Sequence, residues 1–210
     1  MTPSRQEWTK VLAARCGRKM QEKLSKATVA VCGLGGLGSN IALALARAGT
    51  GRLVLIDFDR VDVGNLHRQN YKASQVGAFK TDALAENLHE CSPWTELELH
   101  TVRLTENNAL QLLRGADIVC EAFDRAESKA MLANFVLEKL PDCFLVAASG
   151  MAGMGSPNAI QTRKITSRFY LCGDLASDAA DNALAAPRVL LCAAHQAQTA
   201  LRIIAGEYDV

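Results

Sequence analysis

From residue 27 onward, short runs of apolar and often β-branched residues alternate with longer stretches whose apolar positions recur every three or four residues. The runs TVAVC (28–32), RLVLID (52–57), 117–120 and 143–148 predict buried strands. The stretches 39–48, 82–88, 106–113 and 126–140 predict helices, with Gly49 and Pro141 as stops after the first and last of them. Residues 96–104 alternate apolar with polar and predict a half-solvated strand. Strands that take turns with helices imply βαβ units, so the expected class is α/β: a Rossmann-like, mostly parallel sheet with helices on both faces. Two pieces within 159–171 (AIQTRKI and SRFYL) predict added antiparallel edge strands. Residues 187–205 predict a closing helix, with Pro187 near its first turn and Gly206 past its end. Ahead of the sheet, 5–26 reads as a charged helical arm, which gives an arm over 1–26 and one domain over 27–210.

Composition narrows the function classes. The chain has 210 residues, 49% hydrophobic and 21% charged, with a formal net charge of +1. That is ordinary for a globular protein and offers no global field for nucleic acid or a membrane surface. The first ten residues are polar, and the first apolar run (27–37) is short and interrupted by glycine, so no secretory leader is expected. The run 189–201 holds His195, Gln196 and Gln198 and reads as a packed helix. The seven cysteines include no C-x-x-C pair, which points to reduced thiols in a cytoplasmic protein and away from a zinc site.

The chemistry begins directly after the first strand. Gly33-Leu34-Gly35-Gly36-Leu37-Gly38 is a glycine loop in strand–turn–helix context, suited to letting backbone N–H groups approach a phosphate chain at a helix N-terminus. Asp57 ends the next strand, where a carboxylate can bind ribose hydroxyls. On these features alone a dinucleotide-binding oxidoreductase is the commoner reading. The next dozen residues reverse it: Asp57-Phe58-Asp59, then Val61, then Gly64-Asn65-Leu66-His67-Arg68-Gln69. A dehydrogenase has no general need of that cluster. A site that attacks the α-phosphate of ATP needs a ribose carboxylate, phosphate donors and cationic side chains.

These elements, together with Lys80 in VGAFK and Asp124 in EAFDR, resemble in order and spacing the HesA/MoeB/ThiF family, relatives of ubiquitin-activating enzymes. The resemblance runs from residue 28 to about 125. The length, FYLCGD (169–174) and APRVLLCAAHQ (186–196) look most like the compact ThiF-type branch of thiamine synthesis. It implies that 27–210 is an ATP-binding adenylyltransferase domain acting on the C-terminal glycine carboxylate of a ubiquitin-like sulfur carrier with a Gly-Gly tail. It also implies ATP and Mg²⁺, and a homodimer of identical subunits.

Residue by residue, the resemblance implies that Gly33, Gly35, Gly36 and Gly38 cradle the phosphates and Asp57 holds the ribose. Asp59 supports the loop or caps it, Asn65 and Arg68 bind phosphate, and Gln69 completes the motif or packs structurally. Lys80 neutralises developing charge, and Asp124 holds Mg²⁺, caps the following helix, or does both. Arg15 is the candidate for an arm residue reaching a partner's nucleotide, with plain surface charge as its alternative. Cys172 reads either as a sulfur-transfer thiol at an accessible strand end or as a structural thiol. Three features depart from the family pattern: Gly64 stands where serine is usual, Arg125 stands where asparagine is usual, and the zinc-binding cysteine pairs are missing. Other carrier proteins remain alternative acceptors, and an oxidoreductase or a nucleotide-sensing module remain alternative functions.

Overall fold

The computed structural model describes residues 2–178 and 182–210. A seven-stranded sheet forms its centre, in the order β3-β2-β1-β4-β5-β7-β6. The strands are β1 (Thr28–Cys32), β2 (Arg52–Ile56), β3 (Glu96–His100), β4 (Ile118–Glu121), β5 (Phe144–Ala148), β6 (Gln161–Lys164) and β7 (Phe169–Gly173). The helices are α1 (Arg5–Cys16), α2 (Arg18–Leu24), α3 (Gly36–Ala48), α4 (Lys80–Cys91), α5 (Glu106–Leu113), α6 (Ala126–Lys139) and α7 (Ala186–Ala205).

Alternation along β1 separates two cores. Val29 and Val31 face one side, where Ile41 and Leu45 of α3, Leu84 and Leu88 of α4, and Cys192 and Ala197 of α7 close over them. Ala30 and Cys32 face the other, against Leu113 of α5 and Leu132 and Val136 of α6. A strand buried on both faces reads as an unbroken apolar run, which is why TVAVC carries no polar position beyond its first residue.

The edges depart from expectation. β3 stops at His100 instead of running to 104, because the His100 carbonyl accepts the Asp57 N–H and the chain then turns away. β6 and β7 form the antiparallel edge pair expected there, and β7 joins it to the sheet by pairing parallel with β5. The arm is two helices. Ser4 caps α1 by accepting the Glu7 N–H at 3.2 Å while Glu7 accepts the Ser4 N–H at 2.8 Å, and Gly17, with φ of 87°, breaks the arm before α2. The small residues of α7 serve their own chain: Ala193, Ala197 and Ala200 are buried, while Ala194 and Leu190 remain exposed. Among the described residues no helix is long and apolar enough to cross a membrane.

Candidate functional site

Register brings the candidate residues to one edge. Cys32 pairs with Ile56 on one side and with Glu121 on the other. The segments leaving these strands therefore emerge together: the glycine loop after β1, Asp57 after β2, and Ala122 to Asp124 after β4. This is the carboxyl edge of the sheet at the point between β1 and β4 where the strand order reverses, the general ligand crevice of such sheets. Gly33 turns the chain with φ of 90° while its N–H donates to the Ile56 carbonyl at 2.8 Å. Gly38 packs so tightly on the Gly33 carbonyl that any Cβ there would overlap it. The loop thus folds back on itself and feeds α3 with its first-turn N–H groups facing the crevice.

Asp57 fixes that loop. One carboxylate oxygen accepts the Leu34 N–H at 2.6 Å and the other accepts the Asp59 N–H at 2.8 Å. Each oxygen keeps lone-pair capacity for a further donor, such as a sugar hydroxyl. Asp59 lies 3.0 Å from the Lys80 ammonium, and the Asp59 carbonyl accepts the Lys80 N–H. Between them the backbone doubles back, with Val61 and Gly77 bonded and Arg60 stacked 3.7 Å over the Phe79 ring. Lys80 therefore enters the site at the first turn of α4 with its side chain only 8% exposed, held by a half-exposed carboxylate.

The segment carrying Asn65, Arg68 and Gln69 is sewn to the glycine loop. Ser39 Oγ donates to the Gly35 carbonyl and accepts the Asn70 N–H. Asn40 donates to the carbonyls of Gly36 and Arg68, and Tyr71 donates to the Leu34 carbonyl at 2.7 Å. Burial, with Asp57 and Asp59 nearby, pushes the Tyr71 phenol well above its ordinary range, so it stays a donor. The stem of Arg68 runs alongside Gly36, and its guanidinium donates to the Gly64 carbonyl. The Asn65 oxygen accepts the Asp62 N–H at 3.3 Å, which leaves its NH₂ group as the donor. Gln69 is buried beside Gly35, and its Oε1 has no hydrogen-bond partner among the described residues.

Asp124 is exposed on the turn between β4 and α6, and its carboxylate has no hydrogen bond or ion pair with the described residues. The helix-cap reading fails: the cap position of α6 is Arg125, and no side chain caps that end. The turn is shaped from below by Glu121, whose side chain is 1% exposed, accepts the Phe123 N–H at 2.7 Å and pairs with Lys129 at 3.0 Å. Burial raises the Glu121 carboxyl above its usual range, against the opposing pull of Lys129 and the Phe123 N–H. Among the described residues no three His, Cys, Asp or Glu side chains group as a metal cage. Magnesium commonly takes one or two carboxylates and completes its shell with phosphate oxygens and water, and Asp124, unpartnered among the described residues and close to the glycine loop, fits that demand.

Two candidates lie elsewhere. Arg15 is exposed on the last turn of α1. That helix packs through Leu12 on Gly49, beyond the C-terminal end of α3. The glycine loop is at the other end of α3, about 20 Å away for a helix of this length. Cys172 is fully buried, which corrects the reading of an accessible strand end. Burial raises its thiol above the ordinary range, partly offset by the hydroxyls of Thr162 and Thr199.

Residues 9–210 match the ThiF family. The chain belongs to the ThiF family. The adenylyltransferase and sulfurtransferase MOCS3 of Aedes aegypti is 38% identical over 143 residues, which is 67% of this chain and 32% of that protein. The sulfur carrier protein adenylyltransferase of Thermus thermophilus is 38% identical over 135 residues, 60% of this chain and 50% of that protein. The chain thus matches a third to a half of the length of these relatives. Among solved structures, the E. coli tRNA N6-threonylcarbamoyladenosine dehydratase TcdA in complex with ATP superposes with a TM-score of 0.86. It is 23% identical, covering 99% of this chain and 98% of that one, a likeness of fold.

Within this ThiF-family site, sequence reasoning missed Ser39, Asn40, Tyr71, Glu121 and Lys129. Each acts through contacts that only the folded chain makes, as in the Glu121 and Phe123 turn tied to Lys129 and, beyond it, to the Ala148 carbonyl. The one available signal was a glutamate closing an otherwise apolar strand, IVCE, since a buried acid demands a partner.

Proposed function

We propose that this chain transfers AMP from ATP to the C-terminal carboxylate of a small ubiquitin-like sulfur carrier protein with a Gly-Gly tail. The carrier favoured by the runs FYLCGD (169–174) and APRVLLCAAHQ (186–196) is a ThiS-like protein of thiamine thiazole synthesis. The observation that carries the reading is the gathering of Asp57, the Asp59–Lys80 pair and Asp124, which has no partner among the described residues, around one glycine loop in a ThiF-family chain. The names of the two 38% identical relatives, one of them a sulfur carrier protein adenylyltransferase, support the same acceptor class.

The triphosphate lies over Gly33 to Gly38 with the ribose at Asp57. Asn65 and Arg68 donate to phosphate oxygens, Arg68 through a planar fork suited to that contact. Lys80 leaves Asp59 to meet charge that builds on the phosphates. The carrier carboxylate is ionised near neutral pH and needs no general base. Its oxygen forms a bond to the α-phosphorus as the bond to the bridging oxygen breaks, and pyrophosphate departs. The chain contributes alignment and charge stabilisation. Asp124 would hold Mg²⁺, which when bound neutralises phosphate charge. The reaction runs in the cytoplasm, in a homodimer.

The test is incubation of the protein with ATP, Mg²⁺ and a panel of carriers, followed by mass spectrometry of each carrier. The expected result is an AMP adduct that depends on the intact Gly-Gly terminus. No adduct on any carrier, with calorimetry showing tighter binding of NAD than of ATP, overturns the reading in favour of an oxidoreductase.

A further inference from the structure

The site described so far occupies the β2, β1 and β4 side of the carboxyl edge. On the β5 and β7 side stands a second buried ion pair with no part in it. Arg188, in the first turn of α7, lies 2.5 Å from an Asp174 oxygen, and their side chains are 7% and 11% exposed. The same guanidinium donates to the Gly155 carbonyl at 2.7 Å and to the Ser156 carbonyl at 2.9 Å. Asp174 in turn accepts the N–H groups of Ala176 and Ser177 and the Ser177 hydroxyl. Ser177 Oγ also accepts the Ala152 N–H, and Gly150 passes so close to the Asp174 carboxylate that a side chain there would overlap it. One arginine thereby joins the connection after β5 to the connection after β7.

Two further features give this clamp a direction. The next residue on α7, Val189, abuts the phosphate loop: a Cβ at Gly36 would lie 2.8 Å from Val189 Cγ1. A single helical turn therefore touches both the glycine loop and the 149–156 connection. That connection, SGMAGMGS, carries glycines at 150, 153 and 155 and only one large side chain at its crest, Met154, which is 89% exposed. Its first half is tied down by backbone bonds of Ser149, Gly150 and Gly153 and by the Ala152 N–H on Ser177, while the carbonyls of Gly155 and Ser156 at its end are held by the guanidinium.

We propose that Arg188 is a positioning residue for the incoming acceptor. By tying Gly155 and Ser156 to Asp174, it holds the 149–156 connection as the wall along which the carrier's tail runs to the α-phosphate. This rests on the proposed AMP transfer. The pairing is charge-assisted and uses the arginine fork on three acceptors at once, so lysine cannot replace it.

The experiment compares the full-length protein with Arg188→Lys and Asp174→Asn. The second variant keeps one oxygen for the Ala176 and Ser177 N–H groups and puts an NH₂ donor in place of the oxygen that accepts from Arg188 and the Ser177 hydroxyl. Hydrogen exchange over 151–156 is expected to quicken about tenfold or more in both variants, the loss of a charged hydrogen bond. The KM for the carrier rises by about the same factor, while kcat and the Kd for ATP stay within about twofold. Unchanged exchange at 151–156 overturns the clamp. Faster exchange with an unchanged carrier KM overturns its role toward the acceptor, as does a loss confined to ATP affinity. Wild-type protein that forms no AMP adduct is a different failure: it removes the functional reading and the acceptor role with it, while the exchange rates still report whether the clamp holds the wall.

Discussion

Asp57 and Asp124 are both carboxylates at strand ends, and their surroundings divide their work. Asp57 is occupied by two backbone N–H groups and shapes the loop, while Asp124 is exposed and has no partner among the described residues. An exposed residue with no structural contact can be removed at little cost to the fold. Asp124→Ala is therefore expected to keep its melting temperature within a few degrees and lose AMP transfer by about a hundredfold or more. Near-normal pyrophosphate exchange in the folded variant would remove its role at the metal. The cysteines give a second residue-level contrast. Cys16 is exposed, whereas Cys172 lies in the core with its thiol raised by burial. Iodoacetamide at neutral pH should label Cys16 in the native protein and reach Cys172 only after denaturant, and Cys172→Ala should leave AMP transfer within about twofold. Rapid native labelling of Cys172 would restore the thiol reading. Asp57, Lys80 and Asp124 could be singled out as candidates in the sequence because each belongs to a run with fixed spacing. Glu121 and Arg188 could not, because nothing in sequence links Arg188 to Gly155 or Glu121 to Lys129.

At the scale of elements, the apolar runs predicted the interior strands closely, since a strand buried on both faces leaves no other pattern. They did not show that β7 would also pair parallel with β5, because a run of alternating residues reads the same parallel or antiparallel. Nor did alternation mark the end of β3, which is set by where the Asp57 N–H finds an acceptor. The glycine loop was the most legible element, and its geometry ranks its glycines. A Cβ at Gly38 overlaps the Gly33 carbonyl and crowds Val31, while one at Gly36 meets side chains alone, Val189 at 2.8 Å and the stem of Arg68 at 3.5 Å. Gly38→Ala should destabilise the protein by roughly 1–3 kcal/mol and abolish ATP binding, and Gly36→Ala should cost less on both counts. Denaturant melts with calorimetry on both variants check this order. Equal effects would mean that the loop relaxes as a unit.

At the scale of the whole molecule, the sheet separates the arm from the site. Leu12 packs beside Gly49 at the edge where the strands begin, and the glycine loop opens at the edge where they end. Arg15 therefore has no route to its own chain's nucleotide without the arm detaching. If it serves catalysis, a second subunit must present it, and a two-fold pair would let each arm serve the other's site. The exposed Leu190 and Ala194 of α7 remain free for such packing, although most of that helix is spent on its own sheet. Light scattering at micromolar concentration should give the mass of a dimer, and a monomer mass would remove the crossing arm altogether. Mixing inactive Arg15→Ala and Lys80→Ala proteins then decides how the site is assembled. In a mixed dimer with crossing arms, the subunit that keeps Lys80 receives an intact Arg15 from its partner, and the other site bears both lesions. With free subunit exchange at equal concentrations, about a quarter of all sites should regain AMP transfer. No recovery despite demonstrated exchange would place Arg15 outside the partner's site and leave it as surface charge on the arm.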